Sequence, residues 1–137
     1  MVALVRGEPL VALARGGSEE AQAQAARALK NLAIFNADNQ ATIVAAGAIE
    51  PLVALARGGS EGAKESAAAA LRILARNADN KVTIAAEEAR LAAEAKEAEE
   101  ARLAEDARLA EEARLAAEAK QAENARLKAE EEARVAE

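Results

Sequence analysis

The chain has 137 residues, 52% of them apolar but only 1% aromatic, with a net charge of −6 and neither His nor Cys. The missing imidazole and thiol remove disulfides, thiolate nucleophiles, the usual zinc ligands and the commonest general base, so no catalytic residue, metal site or cofactor is expected. The charge is unevenly placed: residues 1–86 carry nine Lys/Arg against eight Asp/Glu, and residues 87–137 carry nine against sixteen. An acidic second half would be repelled by a nucleic-acid backbone or an anionic membrane, so neither is an expected partner. Large apolar residues are concentrated before about Ile84, which places a modest helical core there.

The chain opens on Val2-Ala3-Leu4-Val5, but Arg6, Glu8 and Arg15 interrupt the run before a signal-peptide core or a membrane span could form. A soluble protein is expected, cytoplasmic if natural. Val2 to Gly7 echoes Val11 to Gly16 and reads as a broken piece of the motif that follows. That motif, Glu8-Pro9-Leu10-Val11-Ala12-Leu13-Ala14-Arg15-Gly16-Gly17-Ser18-Glu19, returns letter for letter as Glu50 to Glu61, an offset of about forty-two residues and within the range of helical solenoids.

The first copy's long helix places Ala25, Ala28, Leu29 and Leu32 at the three-and-four spacing of one buried face. A short helix follows, with Asp38 placed to cap it and Gly47 to stop it in the left-handed conformation. The next begins near Ile49-Glu50, tolerates Pro51 in its first turn and ends at Gly58-Gly59. Ser60 then caps a third helix running to about Arg76, with Glu61 favourable to its dipole. The Gly-Gly-Ser loops have no flanking strand and no following Lys, so they read as helix-to-helix turns rather than phosphate cradles. The order is short, medium, long. The two copies slip by one residue, because Ile34-Phe35 stands where only Arg76 does, and rejoin at Asn36 to Asn39 and Asn77 to Asn80.

A three-helix unit of this length, with an Ala-Gly-Ala-Ile turn at Ala46 to Ile49, the Pro-Leu-Val-x-Leu second helix and the Ala-Leu-x-Asn-Leu-Ala third helix at Ala28 to Ala33, resembles the armadillo repeat. The resemblance covers roughly residues 8–86. It implies an all-α fold, a fragment of a right-handed α-solenoid whose third helices line a concave groove. Asn31 matches the asparagine with which that family clamps an extended peptide, and Arg27 stands where the family has an aromatic residue. Ala69 and Ile73 replace the pair in the second copy, so the amide ladder of a peptide groove is not continued. Exact repetition and clean loops favour an artificial or recently duplicated origin.

At the place where Gly47 ends the short helix, the second copy reads Thr83-Ile84-Ala85-Ala86-Glu87-Glu88, and no Gly or Pro occurs from there to Glu137. The stop is lost, and the short helix is expected to run on. The domain reading is a repeat region over 1–86, with an incomplete opening piece and repeats at about 8–46 and 47–86, then a charged helix over 87–137. In the tail Arg90, Arg102, Arg108, Arg114 and Arg126 each have an acid three residues before and four after, the separations at which side chains meet on a helix surface. Alanine recurs every third residue and the leucines drift around the helix, so no coiled-coil seam is sustained. The tail therefore reads either as self-supporting or as packed on another chain over part of its length.

Fewer than two full units leave an apolar face without a following repeat, and Leu71, Ile73, Leu74 and Leu91 are the candidates for an exposed edge that makes oligomer contacts. The expected function is a non-enzymatic scaffold for a protein or peptide partner. The alternatives are self-assembly, with a symmetric dimer expected, and a peptide groove at Asn31 and Arg27.

Overall fold

The computed structural model describes residues 7–137, so the Val2 to Arg6 part of the opening echo lies outside the described residues. Among these residues there are six α-helices and no strand: α1 (Glu8–Gly16), α2 (Glu19–Ala33), α3 (Ala37–Ala45), α4 (Ile49–Gly58), α5 (Glu61–Leu74) and α6 (Ala78–Ala136). The chain divides into two compact units, Met1–Ala93 and Glu94–Glu137.

Helix ends follow local chemistry. Pro9 and Pro51 lie in the first turns of α1 and α4, where no backbone N–H partner is lost. Both helices end in the same way: the Gly17 N–H donates to the Leu13 carbonyl and the Gly59 N–H to the Leu55 carbonyl, each at 2.9 Å. Ser18 and Ser60 take up identical extended backbones, and their hydroxyl oxygens accept the Ala21 and Ala63 N–H groups, capping α2 and α5.

The cap of α3 is not Asp38. Asn36 adopts the extended cap conformation two residues earlier, and its side-chain oxygen accepts the Asn39 N–H at 2.9 Å. Asp38 instead lies in the first turn, where its charge suits the helix dipole. Asn77 does the same for α6, accepting from Asp79 and Asn80, and so α5 closes at Leu74 rather than at Arg76. Gly47 has φ +85 and turns the chain so that α3 and α4 meet at 87°. At the matching place α6 carries Glu88 and runs on to Ala136.

In the repeat unit α1 packs against α2, α4 against α5, and across the copies α2 lies on α5 and α1 on α4. Leu29, Ile43, Leu52, Val53 and Leu74 are fully buried. Burial of a side chain of this size stabilises by roughly 1.5–3 kcal/mol, so these residues dominate the core. On α2 the buried residues are Ala25, Ala26, Leu29 and Ala33, while Ala28 and Leu32 are only half-buried. The face is rotated from the expected stripe because α2 is packed by α1 on one side and by α5 on the other. Side-chain amides tie α3 and the start of α6 to the long helix before each: Asn39 donates to the Leu32 carbonyl at 2.9 Å and Gln40 to the Ala33 carbonyl at 2.8 Å, and Asn80 donates to the Leu74 carbonyl at 3.1 Å.

The second unit is the part of α6 from Glu94 onward, and every residue in it is exposed. Arg102, Arg108, Arg114 and Arg126 each bridge the acids three before and four after, as their spacing predicts. Among the described residues no single helix is long and apolar enough to cross a membrane.

Candidate functional site

Two surfaces of the repeat unit stand out. The first is the groove between α2 and α5. One hollow in it is lined by Ala23, Gln24, Arg27, Lys30, Gly62, Glu65 and Ser66. The next, of about 440 Å³, is lined by Lys30, Ile34, Ala69, Arg72, Ile73 and Arg76. The lining thus supplies four cations, Arg27, Lys30, Arg72 and Arg76, against the single acid Glu65. None of the four has an ion-pair partner among the described residues. Apolar Ile34, Ala69 and Ile73 line the second hollow beside Lys30, Arg72 and Arg76.

Arg27, singled out by its place in the repeat motif, therefore does line this groove. Asn31 is exposed and lines neither hollow. Lys30, Arg72 and Arg76 were not picked out by sequence reasoning. The signal available was their spacing, since Arg27 and Lys30 are three apart on α2, and Arg72 and Arg76 are four apart at the end of α5.

The second surface is the side of the second copy that faces away from the first. Here the expected exposed edge is corrected in part. Leu74 is fully buried and Leu71 is 6% exposed, Ile73 is half-buried in the groove, and Leu91 packs against the core from α6. Ile84 of α6 lines one recess with Leu71, together with Ala56, Ala68, Arg72, Ala75 and Glu88. The continuing helix thus covers part of the leucine edge from within the chain. What stays open is a set of alanines beside it. Ala14, Ala26 and Ala33 are buried in the first copy, whereas their counterparts Ala56 and Ala75 are half-buried and Ala68 is exposed.

On the opposite side the relation reverses. Leu55 and Pro51 are buried, while Leu13, at 46% exposed, and Pro9 are not. Comparison of the two copies separates the surfaces. On the stacked faces Ala26, Leu29 and Ala33 recur as Ala68, Leu71 and Ala75, and Ala25, Ala28 and Leu32 recur as Ala67, Ala70 and Leu74. At the groove positions Gln24, Arg27 and Lys30 become Ser66, Ala69 and Arg72, and exposed Asn31, outside the hollows, becomes Ile73. Stacking chemistry is repeated while groove chemistry is not.

A short helix, a medium helix and a long helix, stacked medium on medium and long on long, define an α-solenoid of helical repeats. Residues 36–76, which span α3, α4 and α5, match the armadillo/beta-catenin-like repeat, so this region is armadillo-like. Comparison with curated proteins gives no match, and comparison with solved structures gives none. Armadillo repeats are typically non-enzymatic, and the match suggests a protein-interaction scaffold.

Proposed function

We propose that the chain is a non-enzymatic interaction scaffold that takes an acidic, extended protein segment along the α2/α5 groove. The observation that carries this reading is the set of four cations, Arg27, Lys30, Arg72 and Arg76, which lack ion-pair partners among the described residues and line the two hollows, three of them beside the apolar side chains of Ile34, Ala69 and Ile73. Unpaired cations beside apolar surface favour carboxylates at their level and small apolar side chains between them. Arg27 contributes charge in this reading, and Asn31, outside both hollows, contributes little.

The test is fluorescence anisotropy with labelled acidic and basic peptides of equal length and matched apolar content. Acidic peptides should bind more tightly by at least tenfold at low salt, and raising the salt should erase most of the preference. Reversing Arg72 and Arg76 together to Glu should invert the preference, while Asn31→Ala should leave affinity unchanged. Equal binding of both peptide classes, or indifference to the double reversal, would exclude the groove.

A further inference from the structure

We propose that the open side of the second repeat is a docking surface for a second copy of this chain, added head to tail in the manner of the stacking already present inside the chain. Within one chain, the face of the first copy that bears Ala14, Ala26, Leu29 and Ala33 is buried as α1 lies on α4 and α2 on α5. The second copy has the same letters at Ala56, Ala68, Leu71 and Ala75; Leu71 is buried beside Ile84 of α6, as its counterpart Leu29 is buried in the first copy, while Ala56 and Ala75 are half-buried and Ala68 is exposed. The face that would receive it is present too. Pro51, Leu52 and Leu55 are buried in the second copy, and their counterparts Pro9, Leu10 and Leu13 are exposed or half-buried in the first.

Charge complementarity favours this same chain as the occupant. Across the internal junction Arg15 pairs with Glu50 at 3.6 Å. The repeat offset carries this pair onto Arg57 and Glu8, both exposed and without ion-pair partners among the described residues. Repeating the internal step places Arg57 of one copy against Glu8 of the next. Because the two contacting faces differ, the contact is heterologous and each added copy presents a fresh open face. The contact is head to tail rather than the two-fold dimer expected from the sequence.

Sedimentation velocity on the full chain over a wide concentration range tests this. The weight-average mass should rise from the 14.2 kDa monomer past the dimer without a plateau. Arg57→Glu alone and Glu8→Arg alone should each shift the series to higher concentration, by at least tenfold. The double reversal, and an equimolar mixture of the two single variants, should restore it. Ala68→Glu, at a position exposed in the single chain, should abolish association while leaving the thermal melt unchanged. A concentration-independent monomer, a plateau at the dimer, or a double reversal no better than either single would overturn the proposal.

Discussion

At Gly59 an added Cβ would stand 2.7 Å from the Leu55 carbonyl oxygen and 3.1 Å from the Ala63 side chain, whereas at adjacent Gly58 nothing lies within 4 Å. The carbonyl belongs to the helix backbone and is already engaged by the Gly59 N–H, so it cannot retreat without breaking that bond. Gly59→Ala should therefore cost about 1–3 kcal/mol. Gly58→Ala should instead gain about 0.4–1 kcal/mol, because alanine restricts the unfolded chain at a site the helix accepts. Urea unfolding of the two variants measures both, and equal signs would contradict this account. The paired glycines are visible in the sequence, but their division of labour is not, since only the fold brings Leu55 and Ala63 to one of them. Asn36 is a similar case. Asn and Asp are both residue types that cap helices, and which of Asn36 and Asp38 caps α3 depends on which one the preceding turn leaves extended. That turn carries Phe35 at φ +53, the residue by which the two copies slip.

Helix α6 shows how far spacing can be read. The acid–Arg–acid pattern appears in the structure as bidentate and bridging contacts along an exposed helix, because residues three and four apart on a helix are neighbours whatever the rest of the fold does. Hydrogen bonds from Arg90, Arg108 and Arg114 hold the carboxyls of Glu87, Glu105 and Glu111 below the usual carboxylate range. A carboxyl with a lowered folded-state pKa lends support that is complete above its unfolded value and is lost as pH falls through the lower, folded one. Arg108→Gln combined with Arg114→Gln should therefore reduce helical circular dichroism at pH 7 and low salt, by on the order of a tenth. The gap between parent and variant should close by about pH 2 and narrow in 1 M salt. A gap that persists in acid would mean the arginines act through their apolar stems. By contrast, the groove of α2 and α5 was legible only in outline. Apolar periodicity locates the stacked faces, but the cations that give the groove its sign lie on two helices from different copies and come together only when α2 meets α5.

For the whole molecule, the boundary between the two units falls beyond the point where the repeat motif ends. Leu91 lies past Ala86 and still packs on the repeat core, and the unit closes at Ala93. A chain cut after Ala93 should keep the cooperative melt of the repeat unit. A cut after Ala86 should lose about 1 kcal/mol with Leu91, lowering the melting temperature by about 4–8 °C. Identical melts for the two lengths would show that Leu91 adds nothing. The Gly-Gly-Ser boundaries between α1 and α2 and between α4 and α5 follow from repetition in the sequence, whereas the cap of α3 and the end of α5 fall one or two residues from the expected places. The burial of Leu71 is harder to read, because the helix whose Ile84 lines the recess beside it is the counterpart of α3 run on past the place where Gly47 stops that helix.

The side-chain amides of Asn39 and Asn80 fasten α3 and the start of α6 to the long helix before each, and Asn36-Ala37-Asp38-Asn39 recurs as Asn77-Ala78-Asp79-Asn80. The interchangeable part of this molecule thus starts at the asparagine cap, at 36 and again at 77, and not at a glycine. A copy of residues 36–76 spliced in after Arg76 would meet Ala56, Ala68, Leu71 and Ala75, the counterparts of the Ala14, Ala26, Leu29 and Ala33 face that its own residues already bury in the present chain. The protein holds both the brick and the mortar line for a longer array of itself.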